Sequence, residues 1–173
     1  MKTRLLPVGP AAPYFSAMTD KTKIPSSALF LGLTGLIPFW APVAVSVWSL
    51  AMDRSNAAEA WIFTLYAGLI LTFLGGVRWG AEIVQKESPD GRVLALSIAP
   101  SLIALAAGLV HFLAGAAVAA WLLLIIGLFL QYRWDTNSAR STVLPAWYGR
   151  LRVILTIGAI SACAAMVVIT RMI

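Results

Sequence analysis

The chain has 173 residues, 60% of them hydrophobic and 12% charged, with a mean hydropathy of +0.86 and a formal net charge of +6. A soluble domain carries about 45–50% apolar and about 25% charged residues, so this composition excludes one and points to an integral membrane protein. The length holds about five crossings of about 20 residues each, and the single cysteine, Cys163, excludes an internal disulfide or a multi-cysteine metal site.

Residues 1–23 carry Lys2, Arg4, Lys21 and Lys23, and Pro7, Pro10 and Pro13 interrupt their apolar run. A secretory signal needs an unbroken apolar core and a small-residue cleavage site, so this segment reads as a cytoplasmic tail, with Met18 as an alternative natural start. The first span is expected over 26–50. Pro38 and Pro42 lie four apart on one helical face, each removes an amide donor, and a kink packed on a neighbouring helix follows.

Asn56 with Glu59 three residues later resembles a helix N-cap and its reciprocal acid, which starts the second span near 57 and carries it to about 79. Gly68, Thr72, Gly76 and Gly80 recur at four-residue spacing, the small-residue stripe that lets helix backbones approach, and an internal packing seam is expected there. Arg78 falls at the end of this span with Glu82 one turn on. At that depth the side chain is expected to snorkel to the headgroups or to pair with Glu82.

Pro89-Asp90-Gly91 is a turn signature. The third span is expected over 93–112 with a kink at Pro100, and the apolar run then continues too far for one crossing. It must fold back near His111 and Gly115 into a fourth span over 114–131. His111 is expected to be interfacial or bonded to backbone, since no second metal ligand sits nearby. Residues 131–150 read as the longest internal loop, followed by a final span over 151–170 with Trp147 and Tyr148 at headgroup level.

Five spans place the tail and the loops after the second and fourth spans on one side, and that side holds eleven of the thirteen Lys and Arg residues. The positive-inside rule then puts the N-terminus in the cytoplasm of a bacterial inner membrane and the C-terminus outside. The expected fold is an all-α, five-helix transmembrane bundle.

GLIPF at 35–39, Tyr66 followed by FLGGVRWG at 73–80, SIAPSL at 97–102 and PAWYGRLRVILT at 145–156 together resemble the family called domain of unknown function 3429. That family includes transmembrane protein 69 of eukaryotes, which is associated with mitochondria. The resemblance covers about Ile24 to the C-terminus. It implies a small polytopic membrane protein and supplies no catalytic residues.

The residues suggest no enzyme, because no nucleophile with a base, carboxylate pair or metal cluster is apparent. Neither mid-membrane ionisable residues nor an internal repeat, the usual signs of an ion-coupled transporter, are found. Nucleic-acid binding is not expected either, since orientation accounts for the basic charge, and no cofactor is expected. What remains is a basic, aromatic end carrying Arg78, Trp79, Glu82, Arg133, Trp147, Tyr148, Arg150 and Arg152, a candidate surface for an anionic phospholipid or a membrane-protein partner. Arg78 with Arg150 or Arg152 forms the expected clamp. An accessory, assembly or scaffold role in a larger, possibly energy-transducing complex follows, with a small-solute or lipid-handling transporter as the alternative.

Overall fold

The computed structural model describes residues 23–172, so the tail before Lys23 and the alternative start at Met18 lie outside the described residues. Among them every regular element is a helix: α1 (Ser26–Thr34), α2 (Ile37–Ala51), α3 (Ala57–Gln85), α4 (Gly91–Ala114), α5 (Ala117–Arg140) and α6 (Ala146–Thr170). With α1 and α2 taken as one broken span, five helical segments are long and apolar enough to cross a membrane. Side chains such as Phe30, Leu69, Phe73 and Leu113 are exposed on the outside of the bundle, which lipid tolerates and water would not.

The first span is interrupted rather than smoothly kinked. Pro38 occupies the first turn of α2, where its missing donor costs nothing, and Pro42 alone lies inside the helix. Between α1 and α2 the chain passes through Gly35 and Leu36, and the Gly35 carbonyl accepts a hydrogen bond from the Tyr66 hydroxyl at 2.8 Å. A donor on α3 thus satisfies a backbone group that would otherwise stand bare in lipid. The capping box at Asn56 does not form. The Asn56 side chain donates instead to Thr170 Oγ1 (3.3 Å), and Glu59 accepts from Ser49 (3.4 Å), so both residues tie helix ends together.

α3 packs against α2, α4 and α5, and α6 closes the bundle against α5 and α2. The core between them is built from Phe39, Phe63, Leu71, Trp121, Leu128 and Met166, all essentially inaccessible. Gly115 takes φ 62° at the end of α4, the left-handed conformation open to glycine, and this reverses the chain into α5 within two residues.

The glycine seam of α3 is displaced from the four-residue stripe. Gly68 meets Ala104 of α4, but a Cβ at Gly76 or Gly80 would touch nothing within 4 Å, and Thr72 is exposed. The close approach is made by Gly75, where a Cβ would strike the Ser97 carbonyl oxygen and the ring of Pro100. Pro100 lies inside α4, so its face against Gly75 is where the two helices come nearest.

Two helices also outrun their apolar sequence. α3 continues past Trp79 to Gln85, and α5 continues through the segment read as a loop to Arg140, leaving only residues 141–145 between α5 and α6. The reason is that Arg78, Glu82, Gln131, Asp135 and Ser138 are all buried. Hydropathy marks a span's end where polar residues meet water, and here they meet one another.

Candidate functional site

The extra turns of α3 and α5 and the first turns of α6 bring their polar side chains together at one end of the bundle. On α3, Arg78 and Glu82 stand one turn apart; on α5, Gln131 and Asp135 do the same, and Arg152 and Thr156 repeat the spacing on α6. All six are buried, with Asp135 at 0% exposure and both arginines at 4%.

Asp135 is the centre. Its Oδ2 lies 2.9 Å from Arg152 Nε, and its Oδ1 accepts a hydrogen bond from Gln131 Nε2 at 3.0 Å. Gln131 also donates to the Leu74 carbonyl (3.3 Å), which ties the carboxylate to α3. The Arg152 contact is ionic rather than a directed hydrogen bond, for neither Nε nor Oδ2 has a hydrogen-bond partner. Arg78 lies with its guanidinium carbon 4.6 Å from the Trp134 ring centroid, a cation–π stack, and it interacts electrostatically with Asp135, Glu82 and Tyr148.

Arg78 therefore neither snorkels nor forms its ion pair with Glu82. Glu82 is engaged elsewhere, with Lys86 Nζ at 2.8 Å and the Asp90 backbone N–H at 2.8 Å, where it anchors the start of α4. Once Lys86 neutralises Glu82, two buried guanidiniums share one buried carboxylate. Arg78 Nε and Nη1, Arg152 Nε and Nη2 and Thr156 Oγ1 have no hydrogen-bond partner. Buried polar groups are ordinarily paired, so this cluster has an excess of donors and of positive charge.

The basic, aromatic set expected from the sequence divides into two layers. Arg78, Glu82 and Arg152 face inward, and half-buried Tyr148 interacts electrostatically with Arg78, Asp135 and Arg152. Trp79 is 40% exposed, Arg133 and Arg150 lie on the surface, and half-buried Trp147 packs edge-on against Tyr148 at 6.0 Å. On α6, Arg152 is therefore the arginine buried beside Asp135, while Arg150 is exposed.

A second polar cluster sits at the opposite end. Thr64 Oγ1 donates to the Ala60 carbonyl (2.9 Å), accepts from Trp121 Nε1 (2.9 Å) and lies 2.7 Å from His111 Nδ1. Indole can only donate and the hydroxyl has one proton, so with that proton on Ala60 the His111 Nδ1 must be the donor. Trp61 stacks on the imidazole at 4.4 Å with the rings 5° from parallel. His111 is buried and bonded to a side chain, not to backbone, and no group of three metal-ligating side chains occurs among the described residues.

The model of the family described as Protein of unknown function (DUF3429) matches residues 24–168, nearly the whole spanning region. The chain belongs to this family. Its relatives include Transmembrane protein 69 of Xenopus tropicalis, 38% identical over 140 residues that cover 79% of this chain and 51% of the relative. Transmembrane protein 69 of Mus musculus is 32% identical over 145 residues, covering 82% and 56% respectively. The chain spans about half the length of these curated relatives, and no solved structure matches it. Family membership and the five spans make it a multi-pass membrane protein.

In this family member sequence reasoning placed Gln131, Trp134 and Asp135 in a loop, because hydropathy falls there, although they belong to α5. A signal was available: Leu124, Leu128, Gln131, Asp135 and Ser138 recur at three- and four-residue steps, a single helical stripe that is buried along its whole length. Thr64 was missed because a lone threonine in an apolar helix carries no pattern of its own.

Proposed function

We propose that this protein is a non-catalytic accessory, assembly or scaffold component of a larger complex in the bacterial inner membrane, with its basic end in the cytoplasm holding an anionic lipid. The observation that supports the reading is the donor-rich cluster at that end. Arg152 is ion-paired with Asp135, Arg78 is buried on Trp134 and interacts electrostatically with the same carboxylate, and both leave guanidinium N–H groups without acceptors. Side chains grouped this way, donors around a single ion pair, suit holding an acceptor rather than activating a nucleophile. The exposed cations around them, Arg133 and Arg150, suit an anionic leaflet, where each contributes about 1 kcal/mol.

Extraction of the native membrane into polymer nanodiscs, capture through a C-terminal tag and mass spectrometry of proteins and lipids tests this reading. A stoichiometric protein partner together with enriched anionic lipid is expected. Solute or lipid movement across liposomes holding the purified chain alone would overturn the accessory role in favour of a transporter. That second reading draws its support from an apolar cleft at the α1–α2 break.

A further inference from the structure

The cleft opens where the first span is broken. Its walls are Leu36 and Phe39 of the α1–α2 segment, Ile70 of α3 and Leu155 of α6, and it encloses about 160 Å³. On the α1 side Gly32 and Gly35 contribute no side chain, and Tyr66 holds the Gly35 carbonyl, so the gap is a braced feature of the backbone. At its edge Leu31 and Phe73, 67% and 65% exposed, face the lipid side of α1 and α3. Two polar residues line it, Arg152 and Thr156; Arg152 Nε is taken by Asp135, but Nη2 of Arg152 and Oγ1 of Thr156 are buried with no hydrogen-bond partner.

An apolar cleft with two unpartnered donor residues selects a particular chemistry. The occupant must have an apolar body, since the other lining side chains are apolar or aromatic. It must end in an acceptor, since an unpaired buried donor costs free energy that a bound oxygen would recover. It should also carry one negative charge, because Arg152 in the lining shares the Asp135 carboxylate with Arg78, which lies outside the cleft, so the cluster behind the lining holds one positive charge in excess. At about 160 Å³ the cleft has room for the end of one chain.

We infer that the cleft at the α1–α2 break binds a long-chain fatty acid that enters from the bilayer between α1 and α3, its carboxylate hydrogen-bonded by Arg152 and Thr156. This rests on the proposed holding of an anionic lipid at the basic end, and it names the lipid. A carboxylate accepts from a guanidinium through two oxygens and from a hydroxyl at once, and such charge-assisted bonds are the strong ones. Asp135 holds Arg152 from the other side, so the arginine is placed before the ligand arrives.

The full chain, purified in a maltoside detergent and incubated with deuterated palmitate, is examined by native mass spectrometry. One palmitate per chain is expected, with 1-hexadecanol, the same chain without the charge, retained about 10- to 100-fold less well. Thr156→Val keeps the shape, removes the hydroxyl and should weaken palmitate about 3- to 10-fold. Arg152→Gln leaves the Asp135 carboxylate to the Arg78 guanidinium, so it buries no lone charge, and it should erase the preference for palmitate over hexadecanol. Equal retention of the two ligands by the wild-type chain, or wild-type behaviour of both variants, overturns the inference. Phosphatidylglycerol held through Arg152 with no palmitate bound would overturn the fatty acid and leave the broader anionic-lipid reading standing; retention of neither lipid would overturn both.

Discussion

At the scale of single residues, Asp135 decides the character of the basic end. A carboxylate with no exposure inside a membrane helix is tolerated because Arg152 at 2.9 Å and Gln131 at 3.0 Å compensate it. Removing one member of such a pair leaves the other charge buried alone, at a cost of about 3–5 kcal/mol, whereas replacing both by apolar groups of similar volume is often neutral. Asp135→Asn is therefore expected to lower the thermal unfolding midpoint in detergent well below that of Asp135→Leu combined with Arg152→Met. The reverse order would show that the pair is not the support of this end. At the other end Thr64 fills the same role with neutral groups. Thr64→Val would strand Trp121 Nε1 and His111 Nδ1, two buried donors at about 1–3 kcal/mol each. The same unfolding measurement should register about 2–4 kcal/mol, and a loss under about 0.5 kcal/mol would mean that His111 and Trp121 find other acceptors.

At the scale of elements, the α3–α4 contact shows how finely one position is chosen. Gly75 and Gly76 are neighbours in an apolar helix, yet a Cβ at the first meets the Ser97 carbonyl and Pro100 while a Cβ at the second meets nothing. Gly75→Ala should therefore separate the helices and cost about 1–3 kcal/mol, and Gly76→Ala should be neutral within about 0.5 kcal/mol. Denaturant unfolding of the two variants side by side checks this, and equal costs would place the contact elsewhere. The four-residue stripe missed Gly75 because spacing alone gives a helix a face without saying which neighbour it meets. The break between α1 and α2 carries a related lesson: two prolines four apart suggest a kink, but Pro38 begins a helix, and the deciding partner is Tyr66, thirty-one residues beyond Gly35 on another element.

At the scale of the whole molecule, eight of the ten Lys and Arg residues among the described residues lie at one end, all but Arg54 and Arg171, and the proposed orientation follows from that distribution. Glu87 lies in the loop at the basic end and Ser55 in the loop at the other, both exposed. Ser55→Cys is expected to react with a membrane-impermeant maleimide in intact cells, and Glu87→Cys only after the membrane is opened. The native Cys163 is fully buried and should contribute little background. Labelling in the opposite order would invert the molecule and move the arginine cluster to the outer face.

The all-helical, membrane-spanning class and the family were determined by the sequence by itself, because both rest on local quantities. Apolar runs of sufficient length must become helices in lipid, and motifs such as FLGGVRWG are read directly from the residues. The concentration of basic and aromatic residues toward one end was equally legible, since alternating spans sort loops onto two sides. Only the tertiary structure decided that Arg78 and Arg152 turn inward while Arg150 stays out, that Asp135 belongs to a helix, and that the α1–α2 break forms a cleft with Arg152 and Thr156 in its lining. The physical reason is that hydropathy scores a residue by its transfer from water, whereas a polar side chain inside a bundle is governed by the partners that distant helices bring to it. Where those partners are supplied the helix continues past its apolar limit, and where they fall short, as at the two arginines, buried donors stand unsatisfied.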